Sequence, residues 1–436
     1  MRASDFTQEE KVRDLLSDLK EACEDKPFSD VVDDEGNQYV DVVMEGGGVL
    51  GVALVGYTYV LEEMGLRFLR VGGTSAGSIN AVLVAGLGTP DQRKSQRIIE
   101  ELANITFWDF VDGDGDVRDF VATLVHNSNL FKLGWKGMQV IDSLVWGLGL
   151  NPGDRFLEWL SNLLEREGVG TSQKLHDRMA TMPAGLRTRD GEPLSPDPAK
   201  SPLALVAADV STQTKVEFPK MAPLYWRDPG EVDPALYVRA SMSIPYFFSP
   251  LRVEKVPQGN EARDRWDELA GYAEEPPSVC TFVDGGIMSN FPIDLFHVQD
   301  RLPKAPTFGV KLGTDKRRSE KIDWTLQLTA AVFRSASHCL DYDFITRNPD
   351  YKKLVSYIDT GEHGWLDFDL QDEAKVDLFL RGARKAAEFL RGFDWAGYKK
   401  IRQQKKELYA ASAGADNRPP GEGTTEPIRP PQAAKQ

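Results

Sequence analysis

The sequence predicts an α/β protein: three layers, α/β/α, around a mostly parallel central sheet, with a helical insertion. Three observations carry that prediction. Two short apolar runs, YVDVVM (39–44) and LRFLRVGG (66–73), alternate with longer helical runs in the order βαβα. Continuous apolar strands of this kind are buried on both faces, as parallel strands are. Each run ends in a glycine-rich turn that leads into a helix, the arrangement of a doubly covered sheet.

Taken in order, residues 1–37 predict an amphipathic helical extension with Val12, Leu15, Leu16 and Leu19 on one face, then an acidic loop. The main domain spans 38–400. It opens with the strand at 39–44 and the helix VLGVALVGYTYVLEEMG (49–65), where Gly65 suits the C-cap. The strand at 66–73 and the helix SAGSINAVLVAGLG (75–88) follow. From about 97 to 200 the character changes to Trp- and Leu-rich helices and a polar loop. Strand character returns at LALVAADV (203–210), TKVEFP (214–219), SVCTFVDGG (278–286) and PTFGVKLG (306–313). A long amphipathic helix follows at 376–393, and residues 411–436 are Pro/Gly-rich and polar, as a disordered tail is.

Composition excludes several function classes. The chain has 436 residues and a net charge of −15, so a phosphate backbone or an anionic lipid surface would repel it. Nucleic acid is therefore not an expected partner, and any transient contact with a membrane surface has to come from apolar residues. Cys23, Cys280 and Cys339 are far apart and form no C-x-x-C pair, so no disulfide framework or zinc site is expected. The N-terminus is charged throughout and no apolar run is long enough to span a bilayer, which points to a cytoplasmic protein. The run DGDGD (112–116) starts like a calcium loop, but Val117 and Thr123 stand where the Gly and the bidentate Glu belong. No metal is expected.

Two turns carry the candidate chemistry. In EGGGVLG (45–51), Gly46, Gly48 and Gly51 spell G-x-G-x-x-G, the dinucleotide fingerprint. A dinucleotide site needs an acidic residue at the end of the second strand. That strand ends instead in GTSAG (73–77), so the cofactor reading fails and no organic cofactor is expected. Gly73-Thr74-Ser75-Ala76-Gly77 is G-x-S-x-G between strand and helix, the setting of a nucleophile elbow. The small flanking residues permit a tight turn, and the helix N-terminus adds partial positive charge beside Ser75. None of the five histidines (His126, His176, His297, His338, His363) follows a core strand in a small-residue turn. Asp284 does, in TFVDGG, where it is expected at the C-terminal edge of a parallel strand facing the crevice.

EGGGVLG, GTSAG and VDGG, in that order, closely resemble the patatin-like phospholipases. The blocks VRASMSIPYFFSP (238–250), GGIMSNFPID (285–294) and GARKAAEFL (382–390) extend the resemblance over roughly 41–400. It implies a patatin-like fold and a Ser-Asp dyad without a catalytic histidine. Ser75 is then the nucleophile, Asp284 its base, and the N–H groups of Gly46, Gly47 and Gly48 the oxyanion hole. Many members carry Lys or Arg where this chain has Leu50. The implied activity is hydrolysis of lipid carboxylic esters through an acyl-enzyme, with a lipid ester as substrate. A lysophospholipid, glycolipid or neutral-glyceride esterase uses the same dyad. A regulatory protein that has lost turnover is the alternative that Leu50 favours. The aromatic residues at about 105–165, among them Trp108, Phe110, Phe131, Trp135, Trp146, Phe156 and Trp159, pack as a helical layer or line an acyl channel as a lid.

Overall fold

The structure is a computed structural model and describes residues 1–110, 148–194, 201–296, 301–313 and 346–416, with Ile322, Ala331, Ser335 and Phe344 besides. His126, His297, His338, Cys339, the DGDGD run, Phe131, Trp135 and Trp146 lie outside the described residues.

The core elements follow the sequence closely. Helix α1 (Glu10–Ala22) precedes strand β1 (Gln38–Met44). A short turn of 3-10 helix (Gly48–Gly51) leads into helix α2 (Val52–Glu63) and strand β2 (Leu66–Thr74). Helix α3 (Ala76–Gly86) starts directly after Ser75, and α4 (Ser95–Asn104) and α5 (Asp154–Arg166) come next. Strands β3 (Leu203–Asp209) and β4 (Thr214–Phe218) form a hairpin, followed by α6 (Pro234–Ser241), β5 (Leu251–Glu254) and β6 (Val279–Asp284). Strands β7 (Thr307–Leu312) and β8 (Val355–Ile358) and helices α7 (Asp372–Gly392) and α8 (Trp395–Asp416) complete the chain.

The main sheet has the order β8-β7-β1-β2-β3-β6-β5, with helices packed on it. From β8 to β3 every pairing is parallel. Strands β1 and β3 are buried along nearly their whole length, as their apolar runs require. Helix α2 is apolar all round and is buried all round, packed between the sheet and α7. Most of the core residues, from Phe6 to Tyr398, form one continuous cluster.

Three expectations change. The first 37 residues hold a one-turn helix (Ser4–Thr7) and α1 rather than one long helix, and Phe6, Val12, Leu16 and Leu19 join the main core. Helix α8 continues to Asp416, so a tail from residue 411 starts too early. The stretch AASAGA (410–415) is alanine-rich and can propagate the preceding helix. Finally, β6 is antiparallel to both of its neighbours, not parallel. An apolar strand pattern carries no information on direction, and β6 takes its own from β5, with which it pairs antiparallel.

Candidate active site

The antiparallel direction of β6 is what builds the site. Strand β3 pairs on one side with β4 along residues 205–209, so β2 and β6 share its other side. Thr74, the last residue of β2, pairs with Val206, and Asp284, the last of β6, pairs with Ala207. The two strands therefore run toward each other along β3 and meet at their C-terminal ends. Ser75 and Asp284, 209 positions apart in sequence (284 − 75 = 209), become neighbours.

Ser75 sits between strand and helix at φ 51°, ψ −120°. A non-glycine residue at positive φ is held there by its surroundings. The surroundings are the small residues at the flanks. A Cβ on Gly77 would lie 2.1 Å from the Met44 carbonyl oxygen, and one on Gly73 2.5 Å from the Gly77 backbone. Only glycines let the turn close this tightly against β1. The Ser75 N–H donates to Ser241 Oγ at 2.8 Å, and Ser241 Oγ donates to the Val206 carbonyl at 2.6 Å.

Asp284 is held by hydrogen bonds instead. Its N–H donates to the Ser243 carbonyl and its Oδ1 accepts from the Gly286 N–H, both at 2.8 Å. The Ser75 hydroxyl lies beside the Asp284 carboxylate and favours its charged form. Both residues are buried, with exposures of 5% and 4%. Burial pushes the Asp284 carboxyl up to about 6, against the opposing pull of the nearby Ser75 hydroxyl and the Gly286 N–H. Such a carboxylate accepts a proton near neutral pH.

The glycine loop is tied to both. Gly46 donates its N–H to the Asn290 carbonyl at 3.1 Å, and Asn290 Nδ2 donates back to the Gly46 carbonyl at 3.2 Å. Thr74 Oγ1 donates to the Ser289 carbonyl at 2.8 Å. An oxyanion hole of Gly46, Gly47 and Gly48 therefore needs correction, because the Gly46 donor is already spent on Asn290. The N–H groups of Gly47, Gly48 and Ala76 have no hydrogen-bond partner among the described residues. Ala76 opens α3, where the unpaired amides and the helix dipole favour negative charge. Leu50 is 8% exposed and belongs to the core cluster, so its position is a packing position.

Gly48, Ser75 and Ala76 open on a cavity walled by apolar side chains such as Ile79, Leu83 and Phe156. Among the described residues lining it, Glu101 is the sole charged one. Phe368 joins the wall from the segment before α7 and stacks on Phe247, with ring centroids 4.6 Å apart. The Trp365 carbonyl accepts the Val49 N–H at 3.1 Å, so the same segment covers the glycine loop. The described histidines, His176 and His363, do not line the cavity, and His363 pairs with Asp377 at 3.0 Å.

A model of the patatin-like phospholipases matches residues 42–297, more than half of the chain. The chain belongs to that family. YqhO of Bacillus subtilis, a protein described as uncharacterized, is 31% identical over 355 residues, which are 81% of this chain and 98% of that one. A solved complex of full-length ExoU with SpcU, from the type III secretion system of Pseudomonas aeruginosa, is similar over 87% of this chain. It shares 14% identity and a TM-score of 0.33, a likeness too distant to carry an argument, and this chain spans 60% of it. No described helix of this patatin-like chain is long and apolar enough to cross a membrane.

The sequence singled out Ser75, Asp284, Gly73, Gly77 and the glycine loop, and the structure brings these together. Reading the sequence assigned no role to Arg239, Ser241, Ser243, Ser289 or Asn290. Arg239, 3% exposed, holds Ser243 Oγ at 2.5 Å and the Ser249 carbonyl at 2.7 Å. All five lie in the blocks VRASMSIPYFFSP and GGIMSNFPID, so the signal was a cluster of polar residues, one of them charged, without a chemical label.

Proposed function

We propose that this protein is a lipid acyl hydrolase that cleaves carboxylic esters through an acyl-enzyme on Ser75. Membership of the family supports lipid hydrolysis in general. The observation that carries the finer reading is a buried Ser75 beside a buried Asp284 at the meeting ends of β2 and β6, with the carboxyl raised to about 6 and Ser75 opening on an apolar cavity.

As Ser75 Oγ attacks the acyl carbonyl, its proton passes to Asp284 and the O–C bond forms. The resulting oxyanion is held by the unpaired amides of Gly47 and Gly48, aided by that of Ala76. Each such donor is worth a few kcal/mol of barrier. Asp284 then hands its proton to the departing alkoxide as the ester C–O bond breaks. A water molecule next gives a proton to Asp284 and attacks the acyl-enzyme. Collapse of that second intermediate returns the proton to Ser75 and frees the fatty acid. Fatty acid is the product whether the ester is a phospholipid, lysophospholipid, glycolipid or glyceride.

A fluorophosphonate probe should label the folded protein, and the Ser75→Ala variant should not be labelled. Fatty acid release from a panel of these lipids should be lost in the same variant. A folded wild-type protein that resists the probe and releases no fatty acid would overturn the reading, leaving a binding protein on this scaffold.

A further inference from the structure

The cavity beside Ser75 runs from that turn to a cluster of aromatic rings. Four helices line it with one face each, α2 giving Val52 and Val55. Helix α3 gives Ala76, Ile79 and Leu83, and α4 gives Ile98, Leu102 and Glu101. Spacings of three, four and seven residues put each set on a single stripe. From α5 come Phe156 and Trp159, which pack with Phe110 into a triangle of rings. The ring centroids are 5.3 Å apart for Phe110–Phe156, 5.2 Å for Phe110–Trp159 and 5.7 Å for Phe156–Trp159.

A second, polar chamber adjoins the first across these rings. The two share Glu101, Ile105, Phe110 and Trp159. None of the polar chamber's lining comes from the glycine loop, the turn at Ser75 or α3, so it lies at the far end. Its lining includes Asn104, Asp109 and Asn162. Glu101, on the boundary, is paired with Arg166 at 2.7 Å.

We propose that this boundary is a chain-length ruler, so that the enzyme selects medium-length acyl groups. The inference rests on the acyl-hydrolase reading above. With the carbonyl carbon at Ser75, the acyl chain lies along α3 toward Leu83. Eight residues of helix rise give roughly 12 Å, the reach of about ten methylenes. Each methylene buried along that path is worth about a fourfold gain. A longer chain gains nothing more, because its end has to cross the rings and displace water from carboxamides and carboxylates. Trp159 and the Glu101–Arg166 pair therefore set specificity without touching the reacting atoms.

The test is kcat/KM on p-nitrophenyl esters from C4 to C16, kept monomeric below their micelle concentrations. The wild type should peak at about C8 to C10 and fall about tenfold by C16. Trp159→Ala, at a half-buried position, opens the wall and should raise the C16/C8 ratio about tenfold. Ile79→Trp narrows the cavity next to Ser75 and should move the peak toward C4. It guards against a Trp159 variant that fails to fold. A wild-type profile that climbs steadily to C16, or one that neither substitution moves, overturns the ruler while leaving the hydrolase intact. Absence of hydrolysis for every ester, with no probe labelling, overturns the hydrolase reading and the ruler with it.

Discussion

The turn at Ser75 is held by steric closure, whereas the turn at Asp284 is held by a polar network. On the first side, Gly73 and Gly77 leave no room for a methyl group against β1, and the serine is forced to positive φ. On the second, backbone amides and the Arg239–Ser243 contact fix a residue whose own conformation is unstrained. The difference fits the roles proposed for the two groups. A nucleophile needs one exposed direction for its oxygen, which backbone geometry sets. A base needs a tuned proton affinity, which burial and hydrogen bonds set.

Substitutions can separate the two. Ser75→Ala should cost the most, about 10⁴-fold or more in kcat on any accepted ester, because the attacking atom is gone. Asp284→Asn should cost about 10³-fold, since the polar network and the cavity remain. It should also raise folding stability in a pH-dependent way. The native carboxyl titrates at about 6, above its usual 3.8, so the folded state favours the protonated form. Wild-type stability is then lost as pH rises from about 4 through about 6, and the Asn variant escapes that loss. The gain should be about 3 kcal/mol at pH 8 and vanish at pH 4, measured by denaturant titration. Equal stability of the two proteins at both pH values would sink the assignment of a raised carboxyl. For wild-type activity, kcat/KM should fall tenfold per pH unit below about 6.

Gly77→Ala tests the steric side. Its Cβ would lie 2.1 Å from the Met44 carbonyl oxygen and 2.6 Å from the carbonyl carbon, so β1 or the turn must shift. A loss of about 3 kcal/mol in stability is expected, together with loss of probe labelling. Full labelling of this variant would show that the turn tolerates a methyl group and is not held by closure. The smallest effect is expected at Ser241→Ala, which removes the acceptor of the Ser75 N–H. About tenfold in kcat and about 1 kcal/mol in stability should be lost. A change in KM alone would instead place Ser241 with substrate binding.

Much of this was legible in the chain. The elbow is a local motif, strand then glycines then helix, and local motifs survive in sequence. Asp284 was visible as an acidic residue at a strand end followed by two glycines. The direction of β6 was not visible, because the period of an apolar strand is the same whichever way it runs. Nor was the loss of the Gly46 amide, which depends on Asn290 arriving from 244 residues away.

By itself, the sequence determined the elements, the tight turn at Ser75 and the absence of a ribose-binding acid. Backbone conformation and hydrophobic period act over a few residues, so a few residues record them. The tertiary structure alone decided that β2 and β6 meet end to end along β3, and so that a hydroxyl and a carboxyl become neighbours. It also decided that burial raises the carboxyl to about 6, and that three rings stand where the apolar cavity meets the polar chamber. Those properties belong to the packing of distant segments, and desolvation exists only once the segments have closed around the group.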